Sequence, residues 1–313
     1  MILFDKKSSD LNAYADKLYY TSSCRVGFRH LLRHLDFQEK NILLPGYIGV
    51  SMNEGSGVFD PIIEFQINYD FYRVNRDLSV DMGDFKSKVV NSNVGAVLLI
   101  HYFGFVQSEV NAIVNLCREN NVLLIEDCAH SLTSSYYGVP LGSLGDFGLF
   151  SLHKTLPVSS GGILRVNNKK YFFIPPLEDS ERIPQNVLES FCSSRLTQIS
   201  HVRRRNFLLL ARYLKGLDGI EVLHPKLNDG IVPQSFPILI NNQEREKVYF
   251  AMIEKGVRVI ALYYQLIEQI TLQDHPVACD LSSRILNLPI HQDLSPNNIR
   301  LMADILSDVI QAN

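Results

Sequence analysis

The chain has 313 residues, of which 46% are hydrophobic and 20% charged, and its formal net charge is −3. This composition is typical of a globular protein, and without a long basic run it argues against a nucleic-acid-binding protein. The five cysteines are scattered and form no CxxC pair, so they indicate reduced thiols rather than a disulfide or zinc framework.

The amino-terminal MILFDKKSSD has no charged segment followed by a long apolar core, and no apolar run reaches membrane-spanning length. We therefore expect a cytoplasmic protein. The length exceeds what one compact core usually holds. It predicts a large domain over residues 1–190 and a smaller one over 191–313.

In chain order, the first predicted element is a Ser-rich turn that runs into a helix, TSSCRVGFRHLL (21–32). Five short apolar runs then predict buried strands. These are NILLP (41–45), VGAVLLIH (94–101), NVLLIED (121–127), DFGLFS (146–151) and GGILRV (161–166). An amphipathic helix lies between two of them, with Val110, Ile113, Val114 and Cys117 on one face of 107–120. This alternation predicts an α/β fold with a mostly parallel sheet and right-handed crossovers.

The pattern changes after about residue 190. A long helix is predicted over 194–217, a strand over 235–240, a helix near 242–255 and a last helix opened by Ser295 and Pro296. We interpret these as a smaller α+β domain. The segment 171–186 carries three prolines and four charges, which is typical of a linker or lid.

Ligands of open α/β sheets bind beyond the carboxyl ends of the strands, so the polar residues that follow the apolar runs are informative. They are His101, Asp127, Ser151 and Lys154. A buried Asp127 needs a cationic partner, and a helix cap or a salt bridge would also explain it. Together, however, a carboxylate that protonates a pyridine nitrogen and a desolvated lysine that forms a Schiff base describe a pyridoxal phosphate site.

The phosphate of such a cofactor needs donors, and the turn at 21–25 supplies free N–H groups at a helix amino terminus. Arg25 adds charge there, although a solvated surface arginine is the alternative. Neither GxGxxG nor GxxxxGK occurs, so nucleotide-binding loops of those kinds are excluded.

The sequence resembles the DegT-type sugar aminotransferases, pyridoxal phosphate enzymes with the aspartate aminotransferase fold (fold type I), over roughly residues 20 to 305. Three elements carry most of the resemblance: IEDCAHS (125–131), GVPLGSLGDFGLFS (138–151) and Lys154 followed by Gly161 and Gly162. Weaker similarities lie in four further segments, SSCRVGF (22–28), LLPGYIGVS (43–51), IHYFGF (100–105) and LNLPIHQDLSPNNI (286–299).

The resemblance implies that Lys154 forms the Schiff base and moves the substrate proton, and that Asp127 pairs with the pyridine nitrogen. It further implies that His130 hydrogen-bonds the ring oxygen and that Ser151, Cys24 and Arg25 hold the phosphate. A core histidine is the alternative for His130. L-Glutamate as amino donor and a homodimer are implied as well.

Four departures from the family pattern concern the site. The serine-to-lysine spacing is three, as in a branch that reads Ser-Leu-Arg-Lys, and His153 replaces the arginine of that branch. Gly49 stands where an aromatic residue often stacks on the cofactor, which leaves Tyr47, Tyr102 and Phe103 as candidates. A His-x-Gly-x-Asn-x-Arg segment that a partner subunit lends in typical members is not visible between 167 and 200.

Substrate contacts are therefore predicted from 171–186, from Arg195 or from Arg203 to Arg205. The alternative for the three arginines is that they open a long helix and form only a solvated face or an ion-pair strip. The function that the sequence indicates is amination of a keto sugar, carried on a nucleotide, in amino-sugar and cell-surface polysaccharide biosynthesis. The alternatives are a pyridoxal phosphate transaminase or dehydratase for another carbonyl, and a non-catalytic regulatory protein that binds the cofactor. A lysine at 154 argues against the dehydratases, which have histidine there.

Overall fold

The computed structural model describes residues 17–241 and 244–312. The amino-terminal segment MILFDKKSSD and the first two residues of the helix predicted near 242–255 lie outside these ranges.

A mixed sheet of seven strands forms the centre of the larger part of the chain. Its strands are β1 (Lys17–Thr21), β2 (Asn41–Pro45), β3 (Tyr69–Tyr72), β4 (Val94–Ile100), β5 (Leu123–Asp127), β8 (Phe147–Ser151) and β9 (Gly162–Val166), and a separate hairpin pairs β6 (Ser135–Tyr136) with β7 (Val139–Pro140). The order across the sheet is β1-β9-β8-β5-β4-β2-β3. Only β9 runs against its neighbours, so the prediction of a mostly parallel sheet in an α/β fold is confirmed.

Four helices belong to this part of the chain: α1 (Cys24–His34), α2 (Phe59–Glu64), α3 (Met82–Asn91) and α4 (Val110–Glu119). Helix α1 begins where the Ser23 side chain accepts a hydrogen bond from the Val26 N–H, as a serine cap does. The predicted face of α4 is buried at Val110, Ile113 and Cys117. Helices that bury one apolar face against the sheet leave its strand ends open for a site.

The second sheet has three antiparallel strands, β10 (Ile220–Val222), β11 (Phe236–Ile240) and β12 (Ile285–Leu288). The helices of this part are α5 (Gln185–Ser193), α6 (Leu196–Tyr213), α7 (Arg245–Glu254), α8 (Pro276–Arg284) and α9 (Pro296–Gln311). Ser295 caps α9 and Pro296 follows it, as predicted. A smaller α+β unit after residue 190 is consistent with this sheet, and the boundary at 190 stays a prediction.

The segment 171–186, predicted to be a linker or a lid, follows the edge of the larger sheet. It runs along β1, where Ser22 N donates to Glu181 O and Ile183 N donates to Tyr20 O, while Lys17 Nζ donates to two carbonyls of the segment. An edge strand exposes unpaired backbone groups, and a proline-rich stretch can satisfy some of them without extending the sheet. Among the helices within 17–241 and 244–312, none is both long and apolar enough to cross a membrane.

Candidate active site

The carboxyl ends of three adjacent strands bring the predicted polar residues to one edge of the sheet. Asp127 is the last residue of β5 and pairs in register with Ile100 of β4 and Leu149 of β8. The residue is 9% exposed, and its Oδ1 accepts a hydrogen bond of 2.8 Å from the Ala129 N–H. Burial raises the pKa of Asp127, and the charge of Lys154 acts in the opposite direction. A cation beside Asp127 therefore stabilises the charged form of its carboxylate.

His130 and Lys154 meet at this edge. The Phe103 N–H donates to His130 Nδ1 over 3.2 Å, and Lys154 Nζ lies 3.0 Å from His130 Nε2. Burial, followed by the charge of Lys154, holds the pKa of His130 well below its usual range, so the ring is neutral. Because Nδ1 accepts from the Phe103 N–H, Nε2, the atom that faces the lysine, is the one that can carry the proton of a neutral ring toward a ligand acceptor. His130 is thus a positioned donor rather than only a core residue.

The turn at 21–25 contacts the hairpin of β8 and β9. Gly161 N donates to Ser22 O, and a side chain at Gly162 would meet the Cys24 nitrogen at 2.4 Å, so only glycine permits this approach. The pKa of Cys24 is raised by burial and by the charge of Asp127, while Lys154 lowers it, which places the turn beside both groups. The amino terminus of α1 therefore lies beside the hairpin whose first strand ends at Ser151.

Ser151 and Arg25 flank the same turn. Ser151 is buried, pairs with Gly162 across the hairpin, and its Oγ lies 3.2 Å from His153 Nδ1. Arg25 is half-buried, and its Nη2 donates to Glu54 O over 2.6 Å in an exposed hydrogen bond. The structure thus brings all six predicted site residues to one end of the sheet.

His101 does not line the site, because its Nε2 lies 3.0 Å from Glu126 Oε2 in the interior. Glu126 also accepts from the backbone N–H groups of Gly142, Leu144 and Gly145. Burial raises the pKa of this carboxyl, but His101 and these N–H groups outweigh it and lower the pKa overall. Through these hydrogen bonds, Glu126 holds the glycine-rich run 138–146 against the end of β5. His101, Glu126 and Cys128 lie close enough together to hold an ion, yet both Glu126 oxygens are already occupied by donors.

Tyr263 packs beside Gly49 and His130, and the sequence interpretation missed it. A side chain at Gly49 would meet its Cδ1 at 3.0 Å, and its ring stacks on Tyr47 with centroids 5.0 Å apart and an interplanar angle of 27°. The same ring lies edge-on to His130 at 6.2 Å. Burial and the charge of Asp127 raise the Tyr263 pKa far above its usual range. Its ring thus takes the space of the aromatic residue that the family pattern puts at 49.

The backbone holds Tyr263 in this position. Its φ is +62°, in the left-handed region that a tyrosine rarely adopts, and Ser282 Oγ donates to its carbonyl over 2.7 Å. Beside it, Val50 N donates to Gln265 O and Ile267 N donates to Ile48 O, both over 3.0 Å. These bonds join the loop after β2 to the segment before α8.

A cavity of about 430 Å³ adjoins His130 and Lys154 on the side of the smaller sheet. Arg203 lines it, while Arg204 donates to the carbonyls of Asn228 and Ile231 and Arg205 donates to Leu294 O. Helix α6 begins at Leu196, so these arginines lie in its interior, and the prediction that they open the helix as one solvated face or ion-pair strip is wrong. Arg195 precedes α6 and is exposed. No residue of 171–186, all of which the structure describes, lines the cavity.

These groups fit pyridoxal 5′-phosphate. Asp127 offers a carboxylate for a protonated ring nitrogen, His130 Nε2 offers a donor for the ring oxygen, and Lys154 offers a primary amine for the aldehyde. The amino terminus of α1 offers N–H groups for a phosphate. Donors and acceptors match the cofactor group by group.

The comparisons with known proteins agree with this chemistry. Residues 75–172 and 193–307 match the DegT/DnrJ/EryC1/StrS aminotransferase family. GDP-perosamine synthase of Escherichia coli O157:H7 is 22% identical over 259 residues, which cover 75% of this chain and 70% of that protein. The dTDP-4-dehydro-2,3,6-trideoxy-D-glucose 4-aminotransferase of Saccharopolyspora spinosa is 25% identical over 263 residues, 72% of this chain and 68% of that protein.

Among solved structures, the fold resembles that of the putative sugar aminotransferase Spr1654 from Streptococcus pneumoniae in its PLP-form, with a TM-score of 0.78 and 13% identity over 95% of this chain and 87% of that chain. The likeness supports fold type I. Aminotransferases of the matched family use pyridoxal 5′-phosphate. The family match covers most of the chain, and this chain is therefore a member of the DegT/DnrJ/EryC1/StrS aminotransferase family.

Proposed function

We propose that this aminotransferase transfers an amino group from an amino acid, L-glutamate by family resemblance, to the carbonyl of a nucleotide-linked keto sugar. The observation that carries the proposal is Lys154 Nζ beside the His130 donor, at the mouth of a cavity of about 430 Å³. The names of two relatives support the substrate class, since one is a GDP-perosamine synthase and the other a dTDP-sugar 4-aminotransferase. The product would serve the synthesis of amino sugars for cell-surface polysaccharides.

The roles of the site residues follow from their positions. When bound, pyridoxal phosphate supplies an aldehyde that captures amines and a protonated ring that withdraws electrons from the substrate carbon. Lys154 would hold the cofactor through Nζ and, when free, would carry a proton at that atom to and from the substrate carbon. Asp127 would keep the ring nitrogen protonated, and His130 would donate to the ring oxygen through Nε2. Ser151 and the turn with Cys24 and Arg25 would hold the phosphate.

Tyr263 would take the part of the missing aromatic residue at 49 and would pack against the pyridine ring. Three observations support this role: the ring fills the space at Gly49, it lies edge-on to His130, and the charge of Asp127 reaches it. A flat aromatic side chain suits this task because aromatic contacts stabilise a planar ring by about 0.5–1.5 kcal/mol beyond burial of area.

We expect Tyr263→Ala to weaken pyridoxal phosphate binding by about tenfold, as loss of one aromatic contact does. The dissociation constant is measured by quenching of protein fluorescence during cofactor titration, so the readout does not depend on turnover. Tyr264→Ala is the matched control, because Tyr264 is exposed and packs on Arg245 instead. Equal cofactor affinity in Tyr263→Ala and Tyr264→Ala would contradict the role.

The proposed function is tested with a panel of 3-keto and 4-keto sugars linked to UDP, GDP and dTDP, each incubated with the holoenzyme and L-glutamate. We expect at least one sugar to exchange its carbonyl oxygen for an amino group, detected by mass spectrometry, and Lys154→Ala to form no product. Loss of water without amination would favour a dehydratase. A holoenzyme whose cofactor no amine converts would favour a regulatory binding protein.

Two finer points are also proposals. A homodimer follows from the family resemblance, and the molar mass in solution, measured by light scattering, decides it. A cytoplasmic location follows from the expectation drawn from the sequence, and cell fractionation with an antibody decides it.

A further inference from the structure

The wall of the cavity opposite Lys154 contains a buried cation without a carboxylate partner. Arg203 is 4% exposed, and within 17–241 and 244–312 no acidic side chain forms an ion pair with its guanidinium. Its three hydrogen bonds go to neutral oxygens: Nε to Gln292 Oε1 over 3.1 Å, Nη1 to Gln234 O over 2.9 Å and Nη2 to Thr155 O over 3.3 Å. A buried charge is costly unless it is paired.

The hydrogen bonds of Arg203 leave one N–H on each terminal nitrogen, since a guanidinium has five. Burial lowers the Arg203 pKa to about 10, and the more distant Asp293 only partly offsets this. The side chain stays charged at neutral pH. Its guanidinium is held by Thr155, next to Lys154, and by Gln234, just before β11, and two of its N–H groups have no acceptor among the described residues.

A second polar group on the same wall also has no partner. Asn287 lies in β12 and is 1% exposed. Its Oδ1 accepts from Ser235 Oγ over 2.8 Å, and its buried Nδ2 has no hydrogen-bond partner among the residues that the structure describes. Both backbone groups of Asn287 pair with Ile260, so the side chain is fixed. Leaving a buried N–H₂ unpaired is unfavourable, and a ligand acceptor would remove that cost.

We infer that Arg203 and Asn287 form a subsite for the carboxylate of the amino-acid donor, in the cavity that Lys154 adjoins. The inference rests on the proposed function. It adds a subsite for the donor carboxylate, which the residues named for that function do not provide. A donor that presents its amine beside Lys154 carries a carboxylate two bonds away, and the product keto acid retains it. A guanidinium fork with one amide matches the two oxygens of a carboxylate.

A phosphate of the sugar nucleotide is the other oxyanion that this chemistry would accept. A diphosphate carries more charge than one guanidinium balances, and the remaining fixed cation of the cavity wall is Lys154, which the reaction needs. Gln234 Oε1, buried and without a described partner on the same wall, is an acceptor that suits an amino acid's N–H better than a phosphate oxygen. The donor's carboxylate is therefore the better match.

The test measures calorimetrically how glutarate and inorganic pyrophosphate bind the holoenzyme. Glutarate is a dicarboxylate without an amine, so it cannot react, and the result does not depend on turnover. The variants are Arg203→Lys, which keeps the charge and removes the fork, and Asn287→Ser, which removes the free N–H₂ and keeps a hydroxyl. Arg205→Lys is the matched control, because Arg205 is two positions along the same helix and bonds to Leu294 O.

We expect Arg203→Lys to weaken glutarate binding at least tenfold and Asn287→Ser several-fold, with Arg205→Lys at the parent value. Thermal melts establish that each variant is folded, and Asn287→Ser carries the test if Arg203→Lys is not. Equal glutarate affinity in all folded variants would overturn the subsite, as would pyrophosphate binding in place of glutarate. Failure of the proposed function would appear separately, in the sugar panel with the parent enzyme.

Discussion

Lys154→Ala is expected to abolish turnover and the visible absorption band of the bound cofactor together. Lys154 is the amine that the structure places beside the His130 donor at the strand ends, and no other lysine lines the cavity among the described residues. An alanine there has no nucleophile to capture the aldehyde and no base to move the substrate proton. Absorption spectra and steady-state rates on the two purified proteins check both losses.

Borohydride reduction identifies the attachment point directly. Reduction of the parent holoenzyme should fix the cofactor's mass on the peptide that contains Lys154, as read by mass spectrometry. Lys170→Ala is the control, because Lys170 is exposed and lies away from the strand ends that hold Asp127. Label on another lysine, or on none, would remove Lys154 from its assigned role.

Asp127→Asn is expected to leave the cofactor bound and the protein folded while turnover falls about a hundredfold or more, the usual cost of losing one preorganised electrostatic contact. Asparagine can still accept the Ala129 N–H through its Oδ1, so the local structure has no reason to change. A neutral amide, however, does not keep a pyridine nitrogen protonated, and the ring then withdraws electrons poorly.

Three measurements decide the role of Asp127: cofactor stoichiometry by absorbance, the melting temperature and the turnover number. The direction of the Asp127 pKa shift supports the expected loss of turnover. Burial raises the Asp127 pKa in the protein alone, so a protonated ring nitrogen beside it stabilises the charged form and is itself stabilised. An asparagine variant that turns over like the parent would reduce Asp127 to a structural cap.

Local sequence signals were sufficient where a residue's role depends on its own strand or turn. Asp127 ends an apolar run, Ser151 ends the next strand of the sheet, and Lys154 follows within one turn. Parallel strands present their carboxyl ends at a common edge, so the meeting of these residues could be predicted from their positions alone. The fold class was predicted correctly from the alternation of strands and helices, and the family from the resemblance of its motifs.

The arginines of α6 show what local sequence signals do not predict. Arg203, Arg204 and Arg205 are adjacent in the sequence, but successive residues on a helix point about 100° apart, so at most one of them faces a given cavity. Only packing of α6 against the loop after Lys154 and against the residues around Gln292 selects Arg203. The number of charged residues in the sequence does not tell which arginine faces the cavity.

By itself, the sequence determined the mostly parallel α/β sheet, the family, the cofactor and the set of residues at its strand ends, because these depend on periodicity and on motifs that are continuous along the chain. The tertiary structure alone decided which distant side chains complete the pocket. Tyr263 takes the space at Gly49 from more than two hundred residues away, and Asn287 joins Arg203 across two elements of the smaller unit. Such contacts depend on how the elements pack against one another, so a sequence pattern within one element does not predict them.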